Sequence, residues 1–340
     1  MKVLITGGTG FLGRHAAVRL KKLGHTVRVL GRNRRAGEAL ERFGVEFCAV
    51  DLADEARVAQ ACERQEGVIH CAGLASPWGK YDDFYQANVI GTQNLVKGCQ
   101  AHSVRRIVHL STPSLYFDYR DRLNIRESDP LPRPATPYAA TKLLADREIE
   151  RVRQLGLETV SLRPRAIFGP GDNTVLGRLL RAAEQGKLPL IGGGNSLADL
   201  TYIDNVVGAL VLALTSPQGT LGQVYNITNG EPVSMRALLD RLLPKLGLRP
   251  RLYSIPFPVA RVLALGMELF YRLVRPQTEP PLTQYAVGLM AKSQTLDISR
   301  ARAELGYRPQ VSLEEGLDRF ARWWPSRTSD EWGLGSANSN

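Results

Sequence analysis

The stretch "KVLITGGTGFLG" at residues 2–13 constrains the fold more than any other, because a short apolar run passes through glycines straight into a helical pattern that reaches about Leu23. Gly7, Gly10 and Gly13 recur there at three-residue steps. Glycines at such a junction permit a tight turn and close backbone approach. A pyrophosphate can then meet the free N–H groups and the positive dipole end of the helix. A turn that needs glycines for its own sake is the alternative, and the strand-loop-helix context favours a dinucleotide.

The same rhythm continues. "HTVRVLGR", "VEFCAVDL", "GVIHCAG", "RIVHLST" and "ETVSLRP" read as further strands, with helical periodicity over 36–43, 55–64, 82–101 and 137–155 between them. This alternation implies an α/β fold with one doubly wound parallel sheet covered by helices on both faces. Beyond Phe168 the texture changes. "GPGDNT" opens a loop, a helix is expected near 175–186, and "LPLIGGGNSLADLTYID" is rich in turns. "NVVGALVLALT" then reads as a helix and "QVYNIT" as a late strand, both returning to the sheet; helices broken by prolines dominate from about 230.

A chain of 340 residues exceeds the size at which one core keeps growing. The expected division is a large domain of 1–165 plus about 198–228, a smaller, mostly helical C-terminal substrate lobe of 166–197 plus 229–325, and a flexible tail from 326 to 340. The net charge is +11, yet the arginines are spread along the chain without a basic tract interleaved with aromatics, so no nucleic-acid partner is expected. Cys48, Cys62, Cys71 and Cys99 form no CxxC pair, which suits reduced thiols in a cytoplasm and gives no metal site. The apolar run "VLI" before the glycines falls far short of a signal-peptide core.

The end of the second strand bears on the cofactor. An NAD site usually carries an acid there for the ribose hydroxyls, whereas a 2′-phosphate calls for a cation. Here "VLGRNRR" has Gly31 at the acid's place, followed by Arg32, Arg34 and Arg35, which predicts NADP(H), with NAD as the alternative. Asp51, in "AVDLAD", is placed to meet the adenine amino group or is an exposed turn residue. In "PYAATKLLA", Tyr138 and Lys142 fall one helical turn apart on one face, where an ammonium would favour the phenolate and fit the tyrosine for proton transfer.

Taken together, "TGGTGFLG", "HCAG", "NVIGTQNL", "LSTPS", "YAATK" and "LRPRAIFGPGD" resemble the extended short-chain dehydrogenases/reductases of the epimerase/dehydratase superfamily over nearly the whole chain. The resemblance implies a Rossmann domain, catalysis by Thr112, Tyr138 and Lys142, and a cofactor site that also includes Phe11, Leu12, Leu52, Ala72, Gly73 and Pro164. A ketone accepting hydride develops negative charge on oxygen, which a tyrosine and a threonine hydroxyl can meet. Asn88 is expected either to support the site or to serve as a structural asparagine, and Ser111 and Ser114 are less favoured hydroxyl donors than Thr112.

Within the family, "TYIDN", "VYNITNGEPVSM" and "ELGYRPQVSLEEGL" resemble the 3β-hydroxysteroid dehydrogenase branch. "WGKYDDFYQANVIGTQN", "STPS" and "PLTQY" resemble the bacterial 2-alkyl-3-oxoalkanoate reductases still more closely. The expected activity is hydride transfer at a secondary alcohol or ketone on a large apolar substrate. Alternatives are a broad-range aldehyde/ketone reductase, a nucleotide-sugar epimerase and a non-catalytic dinucleotide sensor. Ala198, where epimerases commonly carry arginine, and Pro113–Ser114, where dehydratases carry acids, weaken the sugar-nucleotide readings.

Arg165 is a candidate anchor for a substrate carboxylate, against a structural pair with Asp172 or Asp204. Trp78, Lys80 and Tyr81 are candidates for a pocket rim. In "PFPVARVLALGMELFYRLVRP", Arg261, Glu268, Arg272 and Arg275 make a narrow polar stripe, which argues for an amphipathic helix rather than a membrane span. Packing in the core of the small lobe is the expected role. A lid, a peripheral contact with the inner face of a membrane, a pathway enzyme or a second copy stays open.

Overall fold

The computed structural model describes residues 1–172, 174–275 and 278–327; the expected tail beyond Arg327 lies outside them. Seven strands, β1 (Lys2–Thr6), β2 (Thr26–Gly31), β3 (Glu46–Ala49), β4 (Gly67–His70), β5 (Arg106–Leu110), β6 (Glu158–Pro164) and β7 (Val224–Ile227), form one parallel sheet in the order β3-β2-β1-β4-β5-β6-β7. Val3–Thr6 and all of β4 are buried, as the continuous apolar runs require when both faces of a sheet are covered. Strand order reverses between β1 and β4, which opens a crevice at the carboxyl ends of the strands.

Helices α1 (Phe11–Lys22), α2 (Arg34–Glu41), α3 (Glu55–Cys62), α4 (Tyr81–Tyr85), α5 (Gly91–Ala101), α6 (Pro137–Gln154), α7 (Val175–Glu184) and α8 (Ile203–Thr215) follow in order. They are succeeded by α9 (Met235–Lys245), α10 (Phe257–Val274), α11 (Gln284–Ala291), α12 (Ser299–Glu304) and α13 (Leu313–Trp323). Val58, Leu95, Val96 and Ile149 from α3, α5 and α6 pack with Leu4, Val68 and Ile107 on one face. On the other face Ala16, Leu20, Val206 and Leu210 from α1 and α8 pack with Val3, Ile5, Val108 and Val160. That cluster continues into Leu239 and Leu242 of α9 and Leu317 and Phe320 of α13, so the C-terminal helices share a core with the sheet.

Three features depart from the sequence reading. The helix expected over 82–101 is divided by a π-helical turn, Gln86–Ile90, between α4 and α5, and Asn88 lies buried within it. Such wide turns place a side chain that a regular helix would direct elsewhere. Second, the edge segment after Tyr116 contains a strand, Arg122–Ile125, paired in parallel with Gln294–Leu296 in a small sheet that also holds Leu197–Ala198 and Val233–Ser234. Strands Lys187–Ile191 and Arg251–Ile255 make a separate parallel pair. Strands of two to five residues carry too little alternation to stand out from turns.

The third departure is α10, whose share in the small-lobe core is narrow: Ala260 and Ala264 pack with Ile191 and Val287, and most of the helix is outside it. Ala260, Ala264 and Glu268 are its buried residues, whereas Val259, Val262, Leu263, Leu265, Met267, Leu269, Phe270, Leu273 and Val274 are exposed. The expected polar stripe is divided: Arg261, Arg272 and Arg275 are exposed, while the Glu268 carboxylate accepts from the Gln284 backbone N–H at 2.8 Å and its Nε2 at 3.0 Å, holding the start of α11.

Candidate active site

The carboxyl ends of neighbouring strands carry the predicted residues. After β1, Gly7 takes a φ of +66°, and the Gly10 N–H donates to its carbonyl at 2.9 Å. A Cβ on Gly13 would collide with the Gly7 carbonyl, so the third glycine is set by the close approach of helix and turn. No side chain caps α1 at Gly10 and no acid stands in its first turn, which begins with Phe11 and Leu12. The N–H groups there fit a pyrophosphate, both by direction and by dipole. Ala72, after β4, closes on Gly7 so tightly that a Cβ would lie 2.8 Å from its backbone.

At the end of β2, a Cβ on Gly31 would run into the Thr9 hydroxyl, so no acid can occupy that place without moving the glycine loop. Arg32, with its side chain 80% exposed, lies 3.6 Å from the half-exposed carboxylate of Asp51. Asp51 also accepts from the Ala53 N–H at 3.0 Å. Leu52 packs over Gly91, and its carbonyl accepts from Asn94 Nδ2 at 2.8 Å; Pro164 is buried at the end of β6. Gly73 faces Asn88 Oδ1 at 3.0 Å from a Cβ position. Asn88 accepts from the Leu74 N–H at 2.7 Å and donates to the Leu74 carbonyl at 3.2 Å and the Thr141 hydroxyl at 3.0 Å. It therefore staples the loop after β4 to α6.

Helix α6 begins immediately before Tyr138. The Thr136 hydroxyl accepts from the Ala139 N–H at 3.1 Å and Pro137 fills the first turn. Tyr138 follows at once, half-buried and hydrogen-bonded with Thr112. Burial pushes the phenol up to about 12, against the pull of Thr112. Lys142, one turn on, is bound to the sheet. Its ammonium donates to the Leu110 carbonyl at 2.7 Å and lies 3.4 Å from His109 Nε2, so it is held by β5. Burial lowers it to about 8, with Asp146 opposing.

Behind this pair lies a buried polar network that sequence reasoning missed. Asp146, one turn past Lys142 on the same face of α6, accepts from His109 Nε2 at 3.2 Å, from the Ser111 hydroxyl at 2.7 Å and from Arg163 Nη2 at 3.0 Å. Arg163 continues to the Tyr116 hydroxyl at 2.8 Å, and Tyr116 donates to Asn226 at 3.0 Å. Burial holds His109 neutral, at about 4, while the hydrogen bond from His109 and the charges of Arg163 and Lys142 hold Asp146 ionised, well below the carboxylate range. The i, i+4 spacing of Lys142 and Asp146 was the available signal. Ser111 is thereby committed to the network, whereas Thr112 donates to Ser114 at 3.1 Å, and Tyr285 donates to Ser114 at 2.9 Å.

A cavity of about 320 Å³ adjoins Tyr138, lined by Trp78, Lys80, Phe84, Tyr119, Pro137, Glu268, Arg272 and Tyr285 among others. Phe84 meets the Tyr138 ring at 6.5 Å, and Arg272 sits 5.4 Å over the Trp78 ring. Tyr81 is exposed and stacks on Tyr85. Neither expected structural partner of Arg165 is its partner. Asp172 caps α7, accepting from the Leu176 N–H at 3.0 Å, and Asp204 pairs with Arg319 at 3.0 Å. Arg165 is buried and donates to Gln294 Oε1, with Asp199 and Tyr285 in its electrostatic reach. Arg165 Nε, Gln294 Nε2 and Asp199 Oδ1 are all buried without a hydrogen-bond partner.

Residues 3–228 match the NAD dependent epimerase/dehydratase family. The chain is 40% identical over 327 residues to a 2-alkyl-3-oxoalkanoate reductase of Stenotrophomonas maltophilia, covering 94% of this chain and 98% of that one. It is 31% identical to the decarboxylating sterol-4-alpha-carboxylate 3-dehydrogenase of Mus musculus, covering 94% and 89% respectively. Among solved structures, UDP-glucose 4-epimerase of Thermus thermophilus in complex with NAD is 27% identical with a TM-score of 0.76, covering 96% of this chain and 99% of that one. By its glycine cradle, its Thr112–Tyr138–Lys142 geometry and these likenesses, the chain is an enzyme of the NAD-dependent epimerase/dehydratase family.

Proposed function

We propose that the protein is an NADPH-dependent reductase of ketones beta to a carboxylate on a large apolar skeleton, with a 2-alkyl-3-oxo acid as substrate. The carrying observation is Arg165: a buried guanidinium whose Nε has no partner, beside the equally unpartnered Gln294 Nε2. Two buried donors without a partner call for an oxygen acceptor beyond the neighbouring Asp199 carboxylate, and a carboxylate meets an arginine best. The hydroxyl chain Thr112–Ser114–Tyr285 leads from the reacting oxygen toward Arg165, whose charge acts on Tyr285. The relatives fit this chemistry: an oxo group at carbon 3 of an alkanoate, or a 3-position beside a 4-carboxylate, is in each name a centre beta to an acid.

A nicotinamide bound in the crevice would supply the hydride. The chain's own residues do the rest. Tyr138, protonated at neutral pH, gives its proton to the ketone oxygen, and Thr112 provides the second hydrogen bond. Lys142, fixed on Leu110, places its charge beneath the site and steadies α6. Preference for NADPH is supported by Gly31, where Thr9 leaves no room for an acid, and by the exposed Arg32. Arg32→Ala should then lower kcat/KM for NADPH about tenfold or more and leave NADH unchanged.

The test compares a synthetic 2-alkyl-3-oxo acid with its methyl ester under NADPH. Acid reduced well, ester poorly, and Arg165→Gln raising KM for the acid by about ten- to a hundredfold is the expected pattern. Equal turnover of acid and ester would remove the carboxylate from the account.

A further inference from the structure

Helix α10 is built with its apolar side outward. The strip facing the rest of the chain is Ala260, Ala264 and Glu268, while Leu273 is 84% and Val262 is 69% exposed, with Val259, Leu269, Phe270 and Val274 all at least half exposed. So continuous an apolar surface marks a place of contact. Its charge indicates with what. In the segment 249–275 the exposed charges are Arg249, Arg251, Arg261, Arg272 and Arg275, while its acid, Glu268, is buried on α11. Among the described residues no acid forms an ion pair with any of the five arginines.

We propose that α10 docks flat on an anionic phospholipid bilayer, its apolar side among the acyl chains and Arg261 and Arg275 at the phosphates. At 18 residues the helix is about 27 Å long, and no described helix is long and apolar enough to cross a membrane, so the contact is with one leaflet. Arginine stems reach to the headgroups from the shoulder beside the buried strip, while the opposite, apolar side is immersed. A second copy fits the charge less well. A two-fold contact would gather both sets of arginines around one interface with no exposed acid in the segment to neutralise them. Glu268 and Arg272 of this helix also line the cavity beside Tyr138, so a lipid-dissolved substrate would enter at the docked side. That consequence rests on the proposed substrate class; the docking does not.

The test is co-sedimentation of the full chain with vesicles of phosphatidylcholine alone and of phosphatidylcholine mixed with phosphatidylglycerol, with far-UV circular dichroism melts to verify that variants fold. Wild type should pellet with the anionic vesicles and stay in solution with the neutral ones. Val262→Asp with Leu273→Asp should abolish pelleting, and Arg261→Gln or Arg275→Gln should each weaken it about fivefold. The proposal fails if wild type ignores the anionic vesicles, or if the double variant pellets as well as wild type. It fails equally if the wild type is a dimer that binds no vesicles and the double variant a monomer, since the face then belongs to a second copy.

Discussion

Tyr138 and Lys142 share a face of α6, but their environments drive their protons in opposite directions. The phenol is pushed up to about 12 and keeps its proton, whereas the ammonium is brought down to about 8 and loses its charge easily. Ketone reduction needs the phenol protonated and the lysine charged. Its rate should therefore be level below pH 8 and fall above it as Lys142 deprotonates, which a pH profile of kcat checks. Tyr138→Phe should reduce kcat about a hundred- to ten-thousandfold without loss of cofactor binding. Asp146 is expected to act through this lysine as a positioning residue. Its carboxylate raises the Lys142 pKa, so Asp146→Asn should carry the alkaline limb to lower pH, and an unmoved limb would show Asp146 to be structural.

At the scale of elements, the π-turn between α4 and α5 matters most. It brings Asn88 to the loop after β4 and to Thr141 of α6, so one side chain ties that loop to the helix of Tyr138 and Lys142. Asn88→Ala leaves the Leu74 N–H without its acceptor and should cost roughly 1 to 3 kcal/mol in urea unfolding, with weaker cofactor binding. The glycine cradle and the start of α6 were readable from sequence because each depends on neighbours within a few residues: three glycines at a strand end, a Thr-Pro pair before a tyrosine. The π-turn was not, since its cause is a set of contacts with residues 74 and 141, distant along the chain.

Across the whole molecule, alternation of strand and helix gave away the parallel sheet, but not which distant residues its order would join. His109, Asp146 and Arg163 meet because β5 and β6 lie side by side beneath α6, and Arg165 meets Gln294 and Asp199 because the small sheet brings 197–198 to 294–296. Hydropathy likewise showed α10 to be apolar without showing whether anything covers it; the structure leaves that side open. If the crevice holds the dinucleotide, NADPH at a hundred times its Kd should stabilise the fold by about 2.7 kcal/mol, visible as a raised Tm. Reduction of a beta-keto acid is measured most directly as NADPH oxidation by the purified protein with a 2-alkyl-3-oxo acid, with a 3-ketosteroid in parallel and Tyr138→Phe as control. Tyr138-dependent turnover of the acid and little of the steroid is expected; turnover of the steroid alone, or of neither, would contradict reduction of a beta-keto acid at this site.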